Sequence, residues 1–184
     1  MSRIGKKPIP IPKGVKVSVE GKQVTIIGPK GEMKHQIPDG FNLSMQDDNL
    51  TVKPLDPENP GRALWGLTRS LIGNMVIGIT QGYIKELDIT GVGYKAVQAG
   101  EKLTLQIGFT HPVDLIPPPG IKFELPSPTR IKISGIDKAL VGEIASRIRR
   151  IRIHDPYKGK GLRYAGEKVH LKPGKAGKAV GKKK

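Results

Sequence analysis

Cysteine is absent from the 184 residues. That excludes disulfides and thiolate metal sites, and it fits a reducing compartment. Aromatic residues make up 4% of the chain. Any core must therefore be built mainly from Val, Ile and Leu, and base stacking is disfavoured as the binding mode of the whole chain. No stretch approaches the roughly 20 consecutive apolar residues of a membrane span. The opening MSRIGKKPIPIPKG has no apolar run like that of a secretory signal. A soluble, intracellular protein is expected.

Acidic residues are the other shortage. There are 16 Asp and Glu against 32 Lys and Arg, a formal charge of +16. Such a balance opposes a compact fold by self-repulsion unless a polyanion neutralises it. Nucleic acid is the first partner class to consider, and an anionic membrane surface the second. The charge is also uneven. Residues 145–184 hold 14 Lys and Arg against 2 Asp and Glu, a net of +12, which leaves +4 for the preceding 144. The larger part reads as an ordinary globular mixture and the last part as a polyanion-binding segment.

Along the chain, Val15, Val17 and Val19 alternate with polar residues, Glu20-Gly21-Lys22 turns, and Val24 and Ile26 resume the alternation. This is a β-hairpin pattern. Further strands are predicted around 33–37, 41–45 and 50–52, with Pro38-Asp39-Gly40 as a turn. LDPENPG at 55–61 breaks the pattern. Leu64, Leu67, Thr68, Leu71, Met75 and Ile79 then recur at helical steps, with Pro60 near the first turn. The order restarts with strands at 83–90, 93–97, 103–107, 113–116, 121–125 and 130–133. A second helix from Ala139, with Asp137 as its N-cap, carries Leu140, Val141, Ile144, Ile148 and Ile151 on one face.

The two halves superpose as sequences. GPKGEMKHQIPDG at 28–40 matches GFTHPVDLIPPPG at 108–120 in length and in its Pro-x-Gly ending. The helices share ALWG at 63–66 and ALVG at 139–142, each followed at the same spacing by Ser70, Ile72 and Ser146, Ile148. An internal duplication is inferred. It predicts an α+β fold of two similar tandem domains, each an antiparallel-rich sheet with one helix packed on a face. The divisions are 1–12, a basic arm; 13–81, the first repeat; 82–155, the second; and 156–184, a basic loop with a flexible Gly, Lys and Ala tail.

Catalytic chemistry finds no foothold. His35, His111, His154 and His170 are scattered, and none stands at i, i+4 with another. No carboxylate pair or metal-ligand spacing is present, so no metal and no cofactor is expected. Gly91-Val92-Gly93 lacks the third glycine of a dinucleotide loop and reads as a hairpin turn. GKG at 159–161 lacks the Lys-Ser/Thr ending of a phosphate loop.

Binding chemistry is concentrated near the end. Arg147, Arg149, Arg150 and Arg152 crowd the last turns of the second helix with few acidic partners. Cations there complement the helix dipole by about 0.3–1 kcal/mol each, but four arginines exceed that need. Asp155-Pro156 ends the helix. Lys158, Lys160 and Arg163 supply charge for phosphates, and Gly159 and Gly161 remove bulk so that the backbone can approach. Tyr157 and Tyr164 serve either as anchors of the loop or as stacking surfaces for a base or sugar. In the arm, Lys6 and Lys7 repeat the pattern beside stiffening prolines, although an unstructured terminus reads equally simply. Binding by charge and shape suits folded, double-helical RNA.

SRIGKKPI, the duplicated halves with ALWG and ALVG, GVGYKA at 91–96 and above all DPYKGKGLRY at 155–164 resemble the bacterial large-subunit ribosomal protein six family over essentially the whole chain. The resemblance implies a structural, non-enzymatic role in the cytoplasmic ribosome. It implies binding of large-subunit rRNA, chiefly through the second domain, near the sarcin-ricin loop and the stalk base. Neighbouring ribosomal proteins are the other implied partners, without a membrane and without homo-oligomers. It places RNA contacts on Tyr157, Lys158, Gly159, Lys160, Gly161 and Arg163, with Arg149, Arg150 and Arg152 before them and Lys6 and Lys7 in the arm. A free nucleic-acid-binding or chaperone-like protein is the second reading, and an enzyme acting on RNA a distant third. Peripheral membrane attachment lacks an amphipathic helix with bulky apolar anchors.

Overall fold

The computed structural model describes residues 2–46, 48–56 and 61–175, Arg62 by its backbone alone. Pro60 and the Lys-rich end from 176 to 184 lie outside these residues. The chain forms two compact units. One holds the residues up to Tyr83 with Ile136–Lys138; the other holds Ile84–Gly135 and the residues from Ala139 on.

The first unit contains β1 (Ile9–Pro10), β2 (Lys16–Glu20), β3 (Gln23–Gly28), β4 (Gly31–Gln36), β5 (Phe41–Gln46), β6 (Asn49–Pro54) and α1 (Arg62–Thr80). Two antiparallel sheets form, in the orders β2-β3-β4 and β1-β6-β5. Strand alternation sends Val24 and Ile26 of β3 and Leu50 and Val52 of β6 inward, where all four are buried. There they meet Ile72, Met75, Val76 and Ile79 of α1.

The predicted face of α1 is displaced by about one residue at its start. Leu64 and Leu67 are 48% and 53% exposed. Trp65 takes the core position instead, because its indole both fills space and donates Nε1–H to the Val52 carbonyl at 2.8 Å. The buried stripe is then Trp65, Thr68, Ile72, Met75, Val76 and Ile79, a helical spacing once Trp65 is its first member.

The second unit repeats the plan. It contains β7 (Tyr83–Thr90), β8 (Lys95–Ala99), β9 (Lys102–Gln106), β10 (Val113–Leu115), β11 (Ile121–Ser127), β12 (Arg130–Gly135), α2 (Lys138–Ile151) and β13 (Gly161–Tyr164). Its sheets run β10-β9-β8 and β11-β12-β7-β13. The internal duplication is thus visible strand for strand, and the α+β fold is the one predicted. Matched turns even share backbone conformation. Gly21 and Gly100 have φ of 60° and 63°, and Gly40 and Gly120 have 89° and 85°. Only glycine holds such angles without strain.

On α2 the buried residues are Val141, Ile144, Ala145 and Ile148; Leu140 and Ile151 sit half-buried at the margin of the stripe. Gly91-Val92-Gly93 is a turn linking β7 to β8, but not the hairpin turn expected, because the two strands enter different sheets and β8 pairs with β9. Tyr94 covers Gly91 and Gly108, where an added Cβ would stand 2.8 and 2.7 Å from its ring and hydroxyl.

Candidate nucleic-acid interface

The basic segment does not hang from the second unit as a loop. Residues 161–164 form β13, paired antiparallel with β7 in the register Gly161 to Thr90, Leu162 to Ile89, Arg163 to Asp88 and Tyr164 to Leu87. Leu162 explains the insertion. Its side chain is fully buried, and its N–H donates to the Arg152 carbonyl at 2.8 Å, so β13 is held on both sides.

Between α2 and β13 the chain closes on itself. Asp155 donates its N–H to the Lys160 carbonyl at 2.8 Å and accepts from Gly159 N–H at 2.9 Å. Its carboxylate accepts Lys158 N–H at 2.7 Å. Gly159 makes the turn with φ 68°. Gly161 answers to packing inside the protein: an added Cβ would stand 2.7 Å from His154 Cα. The two glycines therefore shape a compact turn, from which Tyr157 and Lys158 project into solvent and Lys160 partly does.

The arginines divide. Arg149 is engaged internally. Its Nη2 and Nε donate to the two carboxylate oxygens of Glu167 at 2.6 and 3.2 Å, and its guanidinium lies 5.4 Å from the centre of the Tyr164 ring. The paired donors of Arg149, and then the Tyr164 N–H at 2.9 Å, hold the Glu167 carboxyl below its ordinary value. Arg150 is exposed in the last turn of α2. Arg152 follows the helix and lies 5.2 Å over the Phe109 ring. Arg163 alternates with Leu162 and Tyr164, so it leaves the sheet on the face away from the core. Tyr164 is thus an anchor, approached also by Lys85 at 5.9 Å, whereas Tyr157 is 57% exposed.

The N-terminal arm belongs to the first unit and is tied down there. Arg69 donates to the carbonyls of Lys7 and Pro8, both at 3.0 Å. Gly5 lies flat on the Trp65 ring, where an added Cβ would stand 2.6 Å away. Lys6 and Lys7 extend from this fixed backbone into solvent.

Sequence reasoning missed Glu167, which organises Arg149, Tyr164 and the return of the chain. Its signal was present: apart from Asp155, it is the sole acid among residues 145–184. Arg130, which pairs with Asp88 at 2.9 Å, gave no such signal, because only the β7–β12 pairing brings the two together. Among the described residues no cluster of three or more metal-ligating side chains occurs, and no helix is long and apolar enough to cross a membrane.

Comparison with known proteins agrees with the two-repeat plan. A sequence model of the family described as Ribosomal protein L6 matches residues 11–82 and 90–165, one match per repeat, the second ending just beyond β13. Large ribosomal subunit protein uL6 of Phenylobacterium zucineum is 50% identical over 95% of this chain and 99% of its own length. The uL6 of Moorella thermoacetica is 47% identical over the full length of both. That of Halalkalibacterium halodurans is 49% identical over 97% of this chain and all of its own.

Proposed function

This chain belongs to the ribosomal protein L6 family, and from that premise we propose how it works: it grips large-subunit rRNA with the second unit and the basic segment after α2, near the sarcin-ricin loop and the stalk base. The protein is a structural constituent of the large ribosomal subunit and not an enzyme. Neighbouring ribosomal proteins at the stalk base complete its surroundings.

One observation carries the reading. The Asp155-to-Lys160 turn is closed by its own hydrogen bonds and presents Tyr157, Lys158 and Lys160 outward from a rigid base. A preformed cationic turn loses little entropy on binding and suits the regular phosphates of folded RNA. Arg150 adds charge beside it, and Arg152 and Arg163 flank the base. Arg149 supports the site indirectly by holding Glu167 and Tyr164 in place. In the first unit, Lys6 and Lys7 offer a smaller contact from a fixed arm.

The test is association with ribosomes in a density gradient at physiological salt, comparing the protein with its Lys158→Ala, Lys160→Ala variant. The wild type is expected in the large-subunit fraction, and the variant is expected to leave it at lower salt. Competition between duplex DNA and a stalk-base rRNA fragment separates this role from that of a free nucleic-acid chaperone, which would take both alike. A wild-type protein found wholly in the ribosome-free fractions would overturn the reading.

A further inference from the structure

The second unit carries a hollow of about 440 Å³ on the sheet face away from its core, lined by Asp88, Thr90, Ser127, Thr129, Arg130 and Arg163 among others. Three charges cross the sheet in a row there. Arg163 on β13 stands opposite Asp88 on β7. Asp88, however, accepts from Arg130 Nε on β12 at 2.9 Å. Arg163 is left with its Nε shut off from water and without a hydrogen-bond partner.

This arrangement suits a particular ligand. A guanidinium is a planar fork of donors matched to phosphate, and Arg163 lines the hollow. Asp88 would oppose a site that reads negative charge alone. An ionised carboxylate can accept about four hydrogen bonds, of which Arg130 Nε supplies one. What a carboxylate beside a phosphate can take is a ribose hydroxyl. The Ser127 and Thr129 hydroxyls, 3.3 Å apart, extend the polar wall. The volume lies within the roughly 300–1,000 Å³ of small-ligand sites and exceeds the needs of a lone anion.

We propose that this hollow binds one ribonucleotide of an RNA strand, with its phosphate on Arg163 and its 2′-hydroxyl on Asp88. The site rests on the rRNA-binding reading above and deepens it. Beside the 155–160 turn, which grips charge, it gives the protein a contact that distinguishes RNA from DNA.

The experiment follows arginine Nε–H and backbone amide signals of the full chain by NMR. Adenosine 5′-monophosphate, its 2′-deoxy analogue and inorganic phosphate are titrated in parallel. The Arg163 Nε–H and the amides of Thr90, Ser127 and Thr129 are expected to shift together with the ribonucleotide. Its affinity should exceed that of the deoxynucleotide by about 2- to 10-fold, the effect of one hydrogen bond. Arg163→Gln should abolish these shifts, and Asp88→Ala should erase the ribose preference while the spectrum stays dispersed. Equal affinities for all three ligands would reduce the hollow to an anion site and overturn the proposal. So would shifts confined to residues 155–160. Neither result touches the rRNA-binding reading, which stands or falls on wild-type co-sedimentation with large subunits.

Discussion

In the first repeat the sheet ends on β1, a strand of two residues, Ile9 and Pro10. In the second, the corresponding strand β7 runs for eight residues and carries β13 on its far side. The proline of β1 offers no N–H to a further strand, and the arm before it folds back under Arg69 instead. The extra strand of the second repeat has a consequence. It draws the basic turn, Arg163 and the Glu167 return onto a rigid sheet edge. Duplication supplied two platforms, and a four-residue addition to one of them positioned the cationic surface there.

The helices show the same divergence. Trp65 and Val141 occupy equivalent places after their shared Ala-Leu, and both are buried. The larger residue lets α1 anchor both β6, through Val52, and the arm, through Gly5. Trp65→Ala is therefore expected to give the largest effect, destabilising the protein by about 3–5 kcal/mol. Urea unfolding followed by circular dichroism checks it, and the arm should become protease-sensitive.

Leu162→Ala tests the strand that the first repeat lacks. With its side chain fully buried, a loss of about 2–4 kcal/mol is expected, accompanied by faster hydrogen exchange at Asp88 and Thr90, the β7 residues that stand opposite Arg163 and Gly161. Leu140→Ala, on a half-buried side chain, should cost roughly half as much. A Leu140 effect equal to that of Leu162 would mean that the margin of α2 matters as much as the added strand.

Glu167→Gln breaks the paired hydrogen bonds to Arg149. Both side chains are about three-quarters screened, at 23% and 26% exposure, so a loss of about 1 kcal/mol is expected at neutral pH. The folded carboxyl is held below its ordinary 4.5 by Arg149 and then by Tyr164 N–H. Its stabilisation is thus complete above that ordinary value and fades as the pH falls through the lower, folded value. Denaturant midpoints measured across pH 2–7 (a range spanning the ordinary carboxylate values) should fall less steeply for the variant.

The smallest effect on stability is expected for Lys158→Ala with Lys160→Ala, within about 0.5 kcal/mol. The salt dependence of rRNA binding should nevertheless fall by about one phosphate contact per lysine. Lys6→Ala with Lys7→Ala provides the matched change in the first unit, and a comparable drop there would erase the functional asymmetry between the repeats.

The amino-acid order alone determined the repeated plan. Alternation at Val15 to Ile26 and at Leu103 to Ile107, paired Gly turns and two helical stripes are local signals, because side-chain period and glycine φ are properties of neighbouring residues. It also determined that the last forty residues carry a net charge of +12, since charge sums regardless of conformation. Tertiary structure decided which of those cations face outward. Arg149 turned to a carboxylate 18 positions away, Gly161 yielded its space to His154, and Arg163 came to stand opposite Asp88, itself paired with Arg130, across a strand pairing spanning 75 residues. Such choices depend on contacts between distant segments, and no local pattern records which distant segment will arrive.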